Sequence, residues 1–516
     1  MHDVAVVGGG HNGLVSSVLL AKAGLKVCVL EKRSHVGGAA TSREIFPGTG
    51  AMLSEYAYLV SMLPDQLRRT LGLHAETRER RIASFTPEIR SGRHVGLLHS
   101  NESAERTAQS FSEFTGTAKD YDGFSDFYER TGEVARAIAP TLLEPLRSRA
   151  DLQREFHENG LKGAWDMMFE RPIEEGIETR MENDTVRGVV YTDANIGVMP
   201  LPQDPAMLQN KTLLYHVIGN GDGKWKVPVG GMGAITTELR KKAEDLGVEF
   251  RLDADVKKIR PGNPHEIAYS GRRGGTAKVE ARFVLSGVPP STLARLTGAK
   301  APPRDDEGSV FKVNMLLDEL PTAKGDVASE DAFNGTFHLD EKFTQIQGTG
   351  IEARTGKIPT NPPGEVYCHT LTDRSILPRK SKQHTLTLFG LNVPYRAFSR
   401  RNNNVLRAST METYLTSLGK HLETPIKDAL ARDDAGNLCV EAKTALDIED
   451  ELGMPQGNIF HGGLSWPFAE RKGEVGTWGV ETAFERIYVC GSGARRGGCV
   501  SGIPGYNAAM KVLGTR

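Results

Sequence analysis

A cluster of glycines near the start of the chain, followed by one acid, has the spacing of a dinucleotide site. Gly8, Gly10 and Gly13 follow the apolar run 4–7, and Glu31 ends a second apolar run. Gly8 permits a tight turn, Gly10 lets the backbone approach a pyrophosphate, and Gly13 lets a following helix pack closely. Glu31 stands where a carboxylate accepts hydrogen bonds from a ribose hydroxyl. This spacing predicts dinucleotide binding, and a glycine turn without a ligand is the alternative.

The elements that must position these residues are a strand, a helix and a second strand. Residues 14–23 carry apolar side chains at helical spacing, Gly24 ends that segment, and 26–30 is the second apolar run. The N-terminus of such a helix directs free N–H groups and a partial positive charge toward phosphates. The order strand, glycine turn, helix, strand is therefore typical of a Rossmann-type unit.

Composition narrows the classes of partner. The 516 residues carry a net charge of −1 with 25% charged residues, and the mean hydropathy is −0.36. Such a balance does not favour nucleic acid as a partner. No apolar stretch approaches the roughly 18 residues of a membrane span. Because the first strand starts at Asp3, we expect no targeting segment and a cytoplasmic location.

The cysteines indicate reduced thiols. There are five, an odd number, and no two of them form a Cys-x-x-Cys pair. This argues against a disulfide framework, a zinc site and disulfide reductase chemistry. The sequence predicts no metal site.

A second glycine pair, Gly37 and Gly38, follows Glu31 and resembles the extended FAD signature of the amine oxidase and phytoene desaturase superfamily. Two further blocks, 228–256 and 487–513, agree with this in order and spacing. Together they resemble the bacterial phytoene desaturase family of FAD-dependent oxidoreductases. The similar branch contains retinol saturase-like proteins and pyridine nucleotide-disulphide oxidoreductase domain-containing protein 2.

The resemblance implies an α/β fold in which a Rossmann-type FAD-binding domain is interleaved with an α+β substrate domain, as in amine oxidases and phytoene desaturases. The FAD-binding domain would comprise residues 1–80, 225–292 and 485–516. The substrate or cap domain would comprise residues 81–224 and 293–484. No second dinucleotide motif is evident, so no separate NAD(P)H domain is expected.

The cofactor implied by the resemblance is FAD. The main chain at Val256 would pair with adenine, and the turn before the last helix would border the flavin. The cofactor-binding residues expected on this basis are Gly8, Gly10, Asn12, Gly13, Glu31, Lys32, Gly38, Ala39, Val256, Gly491, Ser492, Ser501, Gly502 and Ile503.

Candidates for the substrate pocket are His216, Trp225, Trp466 and Arg495, each with a purely structural role as the alternative. Arg495 and Arg496 stand where many relatives have histidine and proline. An arginine beside the flavin would hold a substrate carboxylate or phosphate, whereas a solvent-facing arginine pair is the plainer interpretation. The sequence identifies no catalytic residue.

The resemblance implies an FAD-dependent dehydrogenase or oxidase that removes hydride from a small, largely apolar substrate, most simply by carbon–carbon desaturation. Amine oxidation and redox-neutral isomerisation are alternatives on the same fold. An alternative of another class is a binding protein without flavin turnover, like the GDP-dissociation inhibitors. Expected partners are a small-molecule substrate and an electron acceptor, such as oxygen or a quinone. A lipid-soluble substrate would add peripheral contact with a membrane.

Overall fold

A computed structural model of the protein describes residues 1–271, 274–302 and 307–515. A hairpin turn that the sequence predicts over 272–275 lies partly outside the described residues. No helix among those residues is long and apolar enough to cross a membrane.

The strands run along the whole chain. They are β1 (His2–Val7), β2 (Val27–Leu30), β3 (Ser42–Glu44), β4 (Met52–Ser54), β5 (Thr77–Glu79), β6 (Ile82–Arg90), β7 (Arg93–Ser100), β8 (Lys226–Pro228), β9 (Glu249–Arg251), β10 (Asp255–Arg260), β11 (His265–Ser270), β12 (Thr276–Ser286), β13 (Phe311–Leu317), β14 (Thr336–Leu339), β15 (Gly364–Tyr367), β16 (His384–Gly390), β17 (Val440–Lys443) and β18 (Ile487–Val489).

The α-helices are most concentrated between β7 and β8, and the others are distributed along the rest of the chain. They are α1 (His11–Lys22), α2 (Asp65–Leu71), α3 (Ala104–Thr115), α4 (Lys119–Ile138), α5 (Arg149–Glu158), α6 (Lys162–Trp165), α7 (Ile173–Glu178), α8 (Asp184–Asn195), α9 (Leu208–Val217), α10 (Met232–Asp245), α11 (Pro290–Thr297), α12 (Ser329–Ala332), α13 (Phe343–Arg354), α14 (Asn403–Gly419), α15 (Ile426–Ala429), α16 (Ala445–Leu452) and α17 (Ile503–Gly514).

The first sheet has a parallel centre. Its strand order is β10-β11-β12-β1-β2-β9, and β18 pairs with β12. The pairs β12–β1, β1–β2 and β2–β9 are parallel, and so is β12–β18. Strands of this kind are covered on both faces and therefore read as continuous apolar runs, as 4–7 and 27–30 do. Helix α1 packs against α10 and α17 on this sheet.

The second sheet has the order β17-β13-β16-β15-β14-β6-β7. Its neighbours are antiparallel except for the parallel pair of β6 with β14. Strands β13 to β16 are almost entirely buried, which lets one of their faces border an internal cavity.

The chain passes between the two sheets several times. Strands β1 and β2 lie in the first sheet, β6 and β7 in the second, β9 to β12 in the first, β13 to β17 in the second, and β18 in the first. The predicted fold class, a Rossmann-type α/β domain interleaved with an α+β domain, is confirmed.

Candidate functional site

The glycine turn between β1 and α1 forms one wall of a large cavity. Gly8 has φ of +97°, which favours glycine, and its N–H donates to the Leu30 carbonyl at 2.9 Å. A Cβ on Gly13 would lie 2.4 Å from the Gly8 carbonyl oxygen. Helix α1 can therefore approach β1 this closely only with glycine at position 13.

Gly10 has a different role in the same turn. It lines the cavity, its φ is an ordinary −68°, and a Cβ built there meets no atom within 4 Å. A side chain at this position would therefore enter open space without straining the backbone. This is the cradle expected where a bulky ligand comes close to the main chain.

The N-terminus of α1 is open to an anion. No side chain caps it, and its first turn carries no acidic residue, so its first N–H groups keep their partial positive charge. Asn12 lines the cavity, and its buried Oδ1 has no hydrogen-bond partner among the described residues. Free amides beside an orphaned polar atom fit the diphosphate of a dinucleotide.

Glu31 is fixed by the turn that it faces. Its Oε2 accepts the Gly9 N–H at 2.7 Å, and its Oε1 accepts the Arg33 N–H at 2.9 Å. The residue also lines the cavity, together with Lys32, Gly38, Ala39 and Val256. The carboxylate is thus held rigidly at the wall where a ribose would lie.

The C-terminal block contributes to the same wall only in part. Gly491 and Ser492 line the cavity, and a Cβ on Gly491 would lie 2.5 Å from the Gly287 carbonyl. Ser501, Gly502 and Ile503 are buried behind it and are not among its lining residues. There the Ser501 Oγ accepts the Ile503 N–H at 3.2 Å at the start of α17.

The cavity has a volume of about 1020 Å³, at the upper end of the roughly 300–1,000 Å³ typical of small-molecule sites. It is continuous from the glycine turn to the second sheet. Ionisable and aromatic side chains also line it, and they come from the second sheet, from the helices between β7 and β8, or from residues next to these elements. They are Arg80, His99, Asp193, His216, Trp225, Lys312, His338, Glu365 and Tyr367.

Lys312 is a buried amine in β13. Its Nζ donates to the Ser54 carbonyl at 2.9 Å and also to the Tyr56 carbonyl, and it lies 5.0 Å from the centre of the Tyr58 ring. Burial lowers the pKa of this amine to about 7. Lys312 therefore exchanges a proton near neutral pH.

Glu365 and two neighbours form a buried acid cluster. One ring nitrogen of His338 and one carboxylate oxygen each of Glu341 and Glu365 lie within 4.8 Å of one another. The Tyr367 hydroxyl donates to Glu365 Oε2 at 2.5 Å. Burial, reinforced by Glu341, raises the pKa of Glu365 to about 7. Burial also raises the pKa of Glu341 well above its usual range. Both acids therefore favour their neutral forms in mildly acidic solution.

The structure places His216 and Trp225, two predicted pocket residues, side by side in the cavity wall. The His216 Nε2 lies 3.1 Å from Asp193 Oδ1, and its ring centre is 4.3 Å from that of Trp225. Burial alone would lower the pKa of His216, but the charge of Asp193 outweighs it and the net shift is upward. Asp193 therefore favours the protonated form of His216.

Trp466 and Arg495 do not lie in this wall, contrary to the prediction. Trp466 is buried with its ring centre 5.2 Å from that of Phe169. Arg495 forms ion pairs with Glu470 at 2.6 Å and Glu474 at 2.8 Å. Aromatic packing holds the first side chain away from the cavity, and two carboxylates hold the second.

Arg496 is not solvent-facing either. It is 1% exposed, and its guanidinium donates to the carbonyls of Thr141, Glu144 and Trp478 at 3.0, 2.5 and 2.7 Å. It therefore joins the turn between β18 and α17 to the residues that follow α4 and to those that precede β18.

Sequence reasoning missed Arg80, Lys312, His338 and Glu365. A signal existed for three of them, because one lysine, histidine or glutamate interrupts each of the buried strands β13, β14 and β15. A charge in a strand buried on both faces is unusual. Arg80 precedes β6 and carries no such signal.

The N-terminal region matches the family model of the NAD(P)-binding Rossmann-like domain over residues 6–80. A Mycobacterium tuberculosis protein described as uncharacterized is 42% identical, covering 99% of this chain and 97% of its own length. One of the subunits of limonene dehydrogenase from Castellaniella defragrans is 38% identical, covering 99% and 94%. Pyridine nucleotide-disulfide oxidoreductase domain-containing protein 2 of Rattus norvegicus is 28% identical, covering 99% and 93%.

Among solved structures, cyclohexylamine oxidase from Brevibacterium oxydans superposes with a TM-score of 0.57 at 14% identity, covering 100% of this chain and 99% of the oxidase. At that identity the likeness concerns the fold alone. All five cysteines are free thiols, so the disulfide chemistry in the rat protein's name has no counterpart in a cysteine pair here. A carotenoid 3,4-desaturase of Haloarcula japonica and a 4,4'-diapolycopen-4-al dehydrogenase of Metabacillus indicus are further relatives. The chain belongs to the phytoene desaturase-like family of oxidoreductases, in the branch of pyridine nucleotide-disulfide oxidoreductase domain-containing protein 2.

Proposed function

We propose that the protein is an FAD-dependent oxidoreductase that removes hydride from a carbon of a small, largely apolar substrate and leaves a carbon–carbon double bond. The observation that carries this proposal is the single cavity bordered both by the glycine turn and by the buried strands of the second sheet. Relatives named as a limonene dehydrogenase and a carotenoid 3,4-desaturase support it, because both names describe dehydrogenation of apolar molecules.

The residues that would hold FAD are mostly backbone groups. The open N-terminus of α1 and the Gly10 cradle suit the diphosphate, the Glu31 carboxylate suits the adenosine ribose, and the main chain at Val256 suits adenine. Gly491 and Ser492 would border the flavin. When bound, the flavin supplies the hydride-accepting chemistry, and an acceptor such as oxygen or a quinone completes the turnover.

Desaturation also releases a proton from the carbon next to the one that loses hydride. Lys312 and Glu365 line the cavity, and burial brings the pKa of each to about 7. An amine or carboxylate with such a pKa is suited to accepting a proton at neutral pH. Lys312 is further oriented by the two carbonyls to which it donates.

Cofactor content tests the proposal through a matched pair of glycine variants. Gly10→Leu fills the cradle, whereas Gly348→Leu adds the same side chain to the exposed face of α13, where a Cβ also meets no atom within 4 Å. We expect flavin absorbance in the wild type and in Gly348→Leu, and a folded but colourless Gly10→Leu protein.

Either of two results would contradict the proposal. A wild-type protein that neither retains nor takes up FAD would favour a binding protein without flavin turnover. A Gly10→Leu protein with a full complement of flavin would remove the glycine turn from the cofactor site. Circular dichroism on both variants separates loss of cofactor from loss of fold.

A further inference from the structure

Arg80 is a buried cation in the wall of the shared cavity. It lies between β5 and β6 and is 9% exposed. Its Nη1 donates to Thr336 Oγ1 at 3.2 Å, and its guanidinium carbon lies 5.6 Å from the centre of the Tyr367 ring. Its Nε is buried without a hydrogen-bond partner in the part of the chain that the structure describes. Since a guanidinium carries five N–H donors, most of its donor capacity is unused.

The charge of Arg80 has no direct counter-ion. Within the described ranges, no carboxylate oxygen lies within the 4.0 Å of an ion pair with its guanidinium. Two acids of the same wall are engaged elsewhere, because Asp193 pairs with His216 and Glu365 accepts the Tyr367 hydroxyl. A buried charge without a partner is costly, and a ligand anion would relieve that cost.

Buried Arg496 provides the contrast within the same protein. Its two Nη atoms donate to three backbone carbonyls, and it does not line the cavity. The buried Nε of each arginine has no hydrogen-bond partner among the described residues, but the Nη atoms of Arg496 have three acceptors, whereas Arg80 faces the cavity with one.

The acids near Arg80 do not make the wall anionic. Burial raises the pKa of Glu365 to about 7 and that of Glu341 well above its usual range. Asp193 is balanced by His216, whose pKa its charge raises. In mildly acidic solution, Arg80 and Lys312 therefore give this side of the cavity a net positive charge.

We propose that the substrate carries a carboxylate on its apolar body and that Arg80 binds this carboxylate. The planar guanidinium matches the two oxygens of a carboxylate. Apolar side chains that also line the cavity, among them Phe124, Val189 and Phe389, suit the remainder of the molecule. This inference rests on the proposed function for the reaction, but the recognition of an acid does not depend on flavin chemistry.

The test compares three probes of equal chain length, decanoate, decanol and decylamine, by calorimetric titration of the purified holoprotein at pH 6.5. We expect decanoate to bind at least roughly tenfold more tightly than decanol, and Arg80→Met to weaken decanoate roughly 10- to 100-fold, the range for a lost hydrogen bond to a charged group. Decanol binding should be unchanged. Arg78→Met, which alters an exposed arginine paired with Glu76, should behave as the wild type.

The wild-type comparison decides the matter even if Arg80→Met fails to fold. A wild type that binds no decanoate, or binds decanol or decylamine as tightly, overturns the inference. Equal loss in Arg78→Met does the same. A colourless protein with Arg80-dependent decanoate binding would overturn the proposed function alone, and a flavoprotein without carboxylate preference would overturn this inference alone.

Discussion

The two sides of the cavity present different kinds of chemical group. The side at the first sheet consists of glycines, helix N-terminal amides and one carboxylate held by two backbone N–H groups. The side at the second sheet consists of buried ionisable side chains, each held by another side chain or a carbonyl. The first arrangement suits a ligand that is always the same, because main chain offers the same groups whatever the side chains are. The second can be altered residue by residue, and under the proposed function it is where substrate choice would be set.

The largest effect on stability that distinguishes parts of the cavity is expected from a substitution at Gly13. Gly13→Val would place a Cβ 2.4 Å from the Gly8 carbonyl, and overpacking of backbone against backbone should lower the free energy of unfolding by about 3 kcal/mol. Gly10→Leu should lower it by less than about 1 kcal/mol, since its backbone is unstrained and its surroundings open. Urea denaturation of both apoproteins measures the difference, and equal losses would show that the two glycines have one role.

An intermediate effect is expected at the adjacent arginines near the C-terminus. Arg496→Met leaves three carbonyls without their buried donor and should lower the free energy of unfolding by about 2 kcal/mol. Arg495→Met removes partly buried ion pairs with Glu470 and Glu474 and should lower it by about 1 kcal/mol. Neither variant should change decanoate binding. A tenfold loss of decanoate affinity in Arg495→Met would restore this residue to the substrate site.

The smallest effect is the pH dependence of anion binding. As pH rises from 6 to 8, Glu365 loses a proton and becomes negative while Lys312 loses its positive charge, because burial brings the pKa of each to about 7. Both changes make the wall less favourable to an anion, so decanoate affinity should fall roughly tenfold. The ionisable groups that act on these two are Glu341, His338, His216 and Tyr367 for Glu365, and Glu441, Glu55 and His369 for Lys312.

Glu365→Gln is the matched control for that titration. The amide keeps the shape of the side chain but cannot ionise, so the fall in affinity should become shallower by the contribution of Glu365. If the affinity of the wild type for decanoate rises with pH, this would contradict the net positive charge assigned to this side of the cavity.

The geometry of the glycine turn at the first sheet was predictable because its signals are local. Gly8, Gly13 and Glu31 lie within one β–α–β unit, and their spacing alone specifies a tight turn, a close helix and an acid at a strand end. The assignment to the family followed from three such blocks. The positions of Ser501, Gly502 and Ile503 behind the wall were harder to predict from the sequence, since their burial depends on how α17 packs against α1.

The side of the cavity at the second sheet was less predictable because it is assembled from distant segments. Arg80, Asp193, Lys312 and Glu365 meet only through the pairing of strands far apart in the chain. The prediction for Arg495 failed for a related reason, because its two carboxylate partners are 25 and 21 residues away in a loop without periodic pattern. A charge inside a buried strand, as at Lys312, is the one local sign that such a site leaves in a sequence.

The most direct test of the central claim is the visible spectrum of the anaerobic holoprotein during addition of candidate substrates. These would include decanoate, decylamine, limonene and a longer unsaturated acid. We predict bound FAD whose absorbance bleaches with an apolar carboxylic acid, with a new carbon–carbon double bond in the recovered product. Bleaching with the amine alone would identify an amine oxidase. A protein that binds no FAD, or whose flavin is never reduced while substrates isomerise, would contradict this claim.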